Sequence, residues 1–218
     1  MSQINRINGG LIDRTKFLNF TFNDQSFVGH PGDTLASALL ANAQIMVARS
    51  FKYHRPRGIV TAGSEEPNAL VQLRSGAWQE PNTRATEVEL YEGLESTSQN
   101  HRGSLKYDLM AINDLVSPFM TPGFYYKTFM WPKAFWEKVY EPAIRASAGL
   151  GRLSGQPDPD RYDNGFLHCD ILVIGAGPAG LSAALNAVRS GARVILADEN
   201  FRMGGRLLSE TRELEDTS

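Results

Sequence analysis

The stretch Cys169–Asn200, CDILVIGAGPAGLSAALNAVRSGARVILADEN, carries the clearest structural pattern in the chain. Its residues 171–174 form a continuous aliphatic run, which suits a strand buried on both faces. The run leads directly into a Gly-x-Gly-x-x-Gly turn made by Gly175, Gly177 and Gly180. In such a turn the three glycines permit the tight bend, the approach of a pyrophosphate and close helix packing, respectively. Strand, turn and helix in this order predict a dinucleotide-binding βαβ unit.

The residues after the turn have positions suited to the same ligand. A helix predicted from Pro178 to about Ser190 would direct its positive end at the phosphates, with the N–H groups of Ala179 and Gly180 nearest. Asp198 lies where an acidic side chain accepts hydrogen bonds from ribose hydroxyls, and Glu199 is the close alternative. An acid at this point favours NAD or FAD over NADP, and the motif alone leaves those two open.

Further candidates follow a second predicted parallel strand at residues 193–197. The segment NFRMGGRL brings Asn200, the pair Gly204-Gly205 and Arg206 back toward the glycine turn. A guanidinium there is suited to pairing with a pyrophosphate. We therefore predict a cofactor site made by Gly175, Gly177, Ala179, Gly180, Asp198, Glu199, Asn200, Gly205 and Arg206.

The N-terminal part has a different pattern. Residues 16–29 alternate apolar side chains and turn at Asn23-Asp24, which predicts a β-hairpin. A short helix follows, with Asp33 or Thr34 as N-cap. Its apolar stripe is Leu35, Leu39 and Ala43. Two strands and a helix in this order are the opening of a β-grasp module.

The rest of this module is less distinct. Apolar runs at residues 69–73 and 87–91 are candidates for further strands, separated by turns at Gly76 and Pro81-Asn82. We therefore expect an α+β domain followed by an α/β one. The predicted domains are a β-grasp ferredoxin-like domain at 1–100, an aromatic-rich helical connector and linker at 101–167, and the opening of a Rossmann-like FAD/NAD-binding domain at 168–218.

The connector concentrates aromatic residues and has helical spacing in two places. Phe135 to Tyr140 follow Pro132 with such spacing, and Pro142 can start a second short helix that Gly149 would close. We expect this apolar stripe to pack on neighbouring elements, because most such stripes are core. A docking surface for another subunit is the alternative.

A spacing typical of iron–sulfur loops occurs without its cysteines. Thr61, Glu66 and Ala69 stand at the C-x4-C-x2-C positions of a plant-type [2Fe–2S] loop. The chain has one cysteine, Cys169, which excludes an intramolecular disulfide and a cluster held by its own thiolates. We therefore predict a ferredoxin-like domain with no iron–sulfur cluster.

Composition excludes several functions. The net charge is −2, with 22 Lys and Arg against 24 Asp and Glu, so neither nucleic acid nor a membrane surface is an expected partner. No apolar run approaches the roughly 20 residues that cross a bilayer, and the N-terminus lacks a signal-peptide core, so we expect a cytoplasmic protein. The four histidines show no metal-binding spacing, and hydrolase and kinase motifs are missing. The basic, aromatic segment 49–58 suits a loop whose cations meet acidic neighbours or a cofactor phosphate.

Several long strings together resemble one family. They are HPGDTLASALLAN, RSFKYHRPRG, EEPNALVQL, GFYYKTFMWP, WEKVYEPAIRASAGLG and HCDILVIGAGPAGLSAAL. In this order they resemble the N-terminal region of the alpha subunit of heterotetrameric sarcosine oxidase. In the wider group, subunits of amino-acid and opine dehydrogenases carry the cluster cysteines, whereas sarcosine oxidase alpha subunits keep the fold without them.

The resemblance implies an enzyme with beta, gamma and delta subunits as partners. It would oxidise sarcosine to glycine, reduce oxygen to hydrogen peroxide and pass the one-carbon unit to tetrahydrofolate, giving 5,10-methylenetetrahydrofolate. NAD would bind in the alpha subunit, tetrahydrofolate in its C-terminal half, covalent FMN between alpha and beta, and FAD in the beta subunit. No residue here matches a catalytic base, a metal ligand or a flavin attachment site.

The sequence extends over two strands and one helix of a fold that needs several more such units. We therefore expect a fragment that is inactive by itself. Two alternatives stay open, an alpha-like subunit of an amine or opine dehydrogenase and a noncatalytic assembly module.

Overall fold

The computed structural model describes residues 3–8, 12–119, 123, 131–149 and 151–209. They divide into two units, Met1–Pro159 and Asp160–Ser218. In the first unit the strands are β1 (Leu18–Phe22), β2 (Gln25–Gly29), β3 (Ala48–Arg49), β4 (Pro56–Arg57), β5 (Leu70–Leu73), β6 (Glu80–Arg84) and β7 (Leu94–Ser98). Among the described residues of this unit, the α-helices are α1 (Leu35–Ala41), α2 (Ile112–Leu115) and α3 (Glu141–Ala148).

Five of these strands make a mixed sheet in the order β2-β1-β7-β5-β6. β1 pairs antiparallel with β2 and parallel with β7. The predicted hairpin is confirmed, and Asn23 and Asp24 at its tip both have positive φ, at 50° and 62°. Positive φ at both central residues gives the turn a twist that matches the flanking strands.

The core lies between this sheet and α1. Side chains of β1 alternate between the two faces of the sheet, which buries Phe20 and Phe22. Helical spacing in α1 buries Leu35 and Leu39 in the same cluster. The N-cap is Thr34, one of the two predicted residues, and its Oγ1 accepts the N–H of Ser37 at 3.2 Å. The core of the β-grasp-like domain is therefore built from the residues whose pattern predicted it.

Three details of the prediction were wrong. No strand forms at residues 87–91, because the backbone of that segment pairs with the start of α1, including Leu35 N–H to Val88 O at 2.9 Å. Pro81-Asn82 lies inside β6 rather than in a turn, and an edge strand tolerates proline because its missing N–H costs no ladder bond. Ala43 lies beyond the end of α1, with φ of 62°.

The aromatic connector is only partly helical. A 3-10 turn at Lys133–Phe135 runs into a π-helical turn at Trp136–Tyr140 and then into α3, so the two predicted helices are continuous. Gly149 closes α3 in the left-handed conformation, as predicted. The expectation that this stripe packs on neighbouring elements was wrong for Phe135, Trp136 and Val139, which are all exposed, whereas Tyr140 is half-buried. Residues 120–122 and 124–130 of this aromatic stretch lie outside the described residues.

The second unit contains the predicted strand, turn, helix and strand. They are β8 (Ile171–Ile174), α4 (Pro178–Arg189) and β9 (Val194–Ala197), with β8 and β9 parallel and in register from Ile171 opposite Val194. Ile174 is 81% exposed, and most of β8 is exposed with it. The two-stranded sheet is therefore uncovered on part of its apolar surface within this chain.

Candidate functional site

The glycine turn between β8 and α4 is the best-formed candidate site. Gly175 has φ of 98°, a conformation that L side chains rarely adopt. A Cβ built on Gly180 would lie 1.7 Å from the carbonyl oxygen of Gly175, whereas one built on Gly177 would meet nothing within 4 Å. Two glycines are thus required by the turn itself, and Gly177 instead leaves open space above the first turn of α4.

The end of β9 reaches the same turn through Asp198. One Asp198 carboxylate oxygen accepts the backbone N–H of Ala176. The other accepts the backbone N–H of Asn200 at 2.8 Å and its side-chain amide at 2.9 Å. The Ala176 N–H, followed by those two groups of Asn200, lowers the pKa of Asp198, so this carboxylate is ionised at neutral pH.

The segment after β9 returns to the turn. The N–H of Gly204 donates to Ala176 O at 2.8 Å. A Cβ on Gly205 would lie 3.0 Å from Cα of Gly177, so a side chain at Gly205 would press against the backbone of the glycine turn. Ala179, Glu199 and Arg206 are exposed around this group. The structure therefore brings Gly175, Gly177, Gly180, Asp198, Asn200 and Gly205 together, with the other three at the rim.

This arrangement fits a dinucleotide. The backbone at Gly177 is open to the approach of a ligand, and the N–H groups at the start of α4 lie at the positive end of a 12-residue helix, where a pyrophosphate is favoured. Asp198 and Glu199 offer acceptor oxygens for ribose hydroxyls. Such a site can bind and orient a nucleotide but not catalyse nucleophilic chemistry, since the described residues around the turn include no nucleophile–base pair.

The loop that has the spacing of an iron–sulfur site is filled by the side chain of Glu66. The Glu66 side chain is buried, and its carboxylate accepts four backbone N–H bonds, a role that the spacing of the sequence does not reveal. Burial, the largest single effect, raises the pKa of Glu66, but the four N–H donors together outweigh it and the pKa lies below its usual value. The residues present do not fit a [2Fe–2S] cluster, because no thiolate stands at these positions and the carboxylate fills the loop.

The basic segment 49–58 is held by acidic neighbours. Nδ1 of His54 lies 2.6 Å from Oδ2 of Asp108, and Nε of Arg49 lies 3.6 Å from the same oxygen, all three side chains being buried. On the surface, Arg55 pairs with Asp114 at 2.6 Å. Sequence reasoning missed Asp108, since nothing in its local pattern distinguishes it from other surface acids.

No group of three His, Cys, Asp or Glu side chains that could hold a metal ion occurs in the described part of the chain. Across the same residues, none of the helices combines the length and apolar character needed to cross a membrane.

Two segments of the chain match known protein families. Residues 15–101 match the family of 2Fe-2S iron-sulfur cluster binding domains, and residues 170–214 match the FAD dependent oxidoreductase family. The chain therefore joins a segment similar to ferredoxin-type domains to a segment similar to FAD dependent oxidoreductases.

Particular relatives match almost the whole chain. It is 61% identical over 94% of its length to the alpha subunit of sarcosine oxidase from Rhizobium meliloti (strain 1021), and 35% identical over 95% to that from Corynebacterium sp. (strain U-96). The predicted similarity to sarcosine oxidase alpha subunits is thus confirmed. An opine oxidase subunit of Agrobacterium tumefaciens (strain Ach5) is 58% identical over 22% of the chain and 10% of its own length. The chain spans 21% and 17% of the two sarcosine oxidase subunits.

Proposed function

We propose that the chain is part of the alpha subunit of a sarcosine oxidase. The observation that carries this is the 61% identity over 94% of the chain. The enzyme would convert sarcosine, oxygen and tetrahydrofolate to glycine, hydrogen peroxide and 5,10-methylenetetrahydrofolate. It would do so in the cytoplasm with beta, gamma and delta subunits, FAD, FMN, and a folate site outside this chain.

The proposed contribution of this chain is nucleotide binding and assembly. Gly175, Gly177, Ala179 and Gly180 would hold a pyrophosphate, with Arg206 at the rim. Asp198, Glu199, Asn200 and Gly205 would line the ribose side. NAD is the dinucleotide that the resemblance implies, and FAD is the one that the family match favours; both contain the same ADP group. We retain residues 1–100, 101–167 and 168–218 as the proposed domains.

Purification of the complex from its source cells tests the reaction. Sarcosine-dependent oxygen consumption, with one peroxide formed per sarcosine in the presence of tetrahydrofolate, is the expected result. An opine oxidised in place of sarcosine would instead favour the alternative of an opine-oxidising enzyme, which the 58% identity of a short segment to an opine oxidase subunit supports. A complex that oxidises neither would favour a noncatalytic assembly module.

Substitutions at two glycines test the nucleotide site in the full-length subunit. Gly177→Ala places a methyl group in open space, so the subunit should fold normally but bind NAD or FAD roughly tenfold or more weakly. Gly180→Ala places one against the Gly175 carbonyl and should also destabilise the unit. The measurements are nucleotide content and thermal unfolding. Unchanged nucleotide affinity in Gly177→Ala would refute the assignment.

A further inference from the structure

The loop at residues 60–69 contains a set of converging backbone donors, which we call the amide nest. It consists of the backbone N–H groups of Val60, Thr61, Asn68 and Ala69. Oε2 of Glu66 accepts those of Val60 and Thr61 at 2.8 and 2.7 Å. Oε1 accepts those of Asn68 and Ala69 at 2.7 and 3.2 Å. Both oxygens are thus held by two amides each, a geometry that selects a planar carboxylate.

The charge of Glu66 is balanced without a cationic side chain. The residue is 1% exposed, and none of the ion pairs among the described residues includes it. Buried carboxylates usually pair with a cation, because an isolated buried charge is costly. Here backbone dipoles provide the compensation, as in other anion-binding concavities formed by successive amides.

The amide nest coincides with the positions of a cluster loop. Thr61, Glu66 and Ala69 have the C-x4-C-x2-C spacing, and residues 15–101 match the cluster-binding family. Two of these three positions contribute N–H donors, and the third contributes the anion that they bind. A [2Fe–2S] cluster held by thiolates is likewise an anion whose sulfurs accept hydrogen bonds.

We propose that the amide nest is an anion-binding site whose resident ligand is the carboxylate of Glu66, in the place that a cluster occupies in metal-binding relatives. The site takes small carboxylates as a chemical class. Its occupation by a side chain of the same chain keeps the loop folded without iron. The domain is thereby a redox-inactive part whose loop is fixed by one charged residue.

Chemical rescue in the full-length subunit tests the proposal. Glu66→Ala removes the CH2–COO⁻ part of the side chain and leaves a space of the size of acetate. We expect hydrogen exchange of the peptide spanning residues 58–70 to rise about tenfold or more. Acetate, added as its sodium salt, should restore protection in a saturable way, whereas sodium chloride at equal ionic strength should not. Glu65→Ala, at an exposed neighbouring glutamate, is the matched control and should exchange like the wild type.

Two results would overturn the proposal. One is protection in Glu66→Ala equal to that of the wild type. The other is an equal response to acetate and chloride, which would mean that no carboxylate site exists. If Glu66→Ala does not fold, Glu66→Gln provides the test. Its side-chain amide retains one acceptor oxygen for one pair of backbone N–H groups but places an NH2 group against the other pair. Protection must then be lost on one side of the loop, and an unperturbed loop in Glu66→Gln would contradict the proposal.

Discussion

Two buried carboxylates, Glu66 and Asp108, fix loops of the first unit. Each accepts backbone N–H bonds from residues near it in sequence, and Asp108 also holds the imidazole of His54. Burial is the largest effect on the pKa of either group and raises it, but hydrogen bonds to the charged form lower both below their usual values. At neutral pH both residues therefore act as anions that organise surrounding backbone.

The lowered pKa of Glu66 predicts a particular acid dependence. A group whose pKa falls on folding stabilises the native state above its unfolded-state value, here 4.5, and loses that contribution as pH falls through the folded-state pKa. Glu66→Gln should therefore cost about 1.5–3 kcal/mol at pH 7. The difference from the wild type should shrink below pH 4.5.

Denaturant unfolding of both proteins from about pH 7 to about pH 3 measures this difference. Asp108 titrates in both, so the change in the difference belongs to Glu66. A difference that stays constant over the whole range would show that the charge of Glu66 does not contribute.

At the scale of elements, α1 is defined at its start by a reciprocal cap. Oγ1 of Thr34 accepts the Ser37 N–H at 3.2 Å, and Oγ of Ser37 accepts the Thr34 N–H at 3.0 Å. Ser37 also donates to Asp33 at 2.6 Å, and Asp33 pairs with Arg6 at 2.7 Å. The cap therefore ties the helix to the N-terminal segment.

Removal of this cap should destabilise the first unit. We expect Thr34→Ala to reduce the free energy of unfolding by about 1 kcal/mol, since an N–H at the helix start loses its acceptor. Thr34→Ser retains the hydroxyl and should restore most of that loss. Denaturant midpoints compare the three proteins, and a Thr34→Ser variant as unstable as Thr34→Ala would assign the effect to the lost methyl group instead.

At the scale of the whole molecule, exposed apolar side chains are concentrated in the connector. Leu115 and Phe119 are 81% and 83% exposed, and Leu109, Ile112 and Val116 are exposed beside them. Exposed apolar side chains grouped in this way are typical of a protein–protein contact. It agrees with the docking alternative and with the proposed role in assembly.

This surface predicts separable effects on stability and association. Leu115→Glu should leave thermal unfolding of the chain nearly unchanged, because the side chain packs on little. It should weaken incorporation into the complex, since a charge would be buried at the contact. Ile7→Glu, at a residue 83% exposed in the N-terminal segment, is the matched control. Native mass spectrometry measures incorporation, and full assembly of Leu115→Glu would exclude this contact.

The elements formed by short-range patterns were the ones the sequence predicted. The hairpin, α1 and the glycine turn follow from alternation, caps and glycine spacing, all of which act over a few residues. The central strand β7 was missed because only Leu94 in it is apolar, and its buried Ser96 and Ser98 are satisfied by β1 and the hairpin turn.

The two domain types, the missing cysteines and the candidate nucleotide turn could all be recognised from the order of the residues. The fold was needed to show that β7 lies at the centre of the sheet, that Asp108 holds His54, and that Glu66 fills the amide nest. The difference lies in sequence separation. Local patterns encode the backbone conformation of a few neighbouring residues. The partner of a buried polar group is instead set by whichever distant or loop-closing donors the fold brings within hydrogen-bond distance.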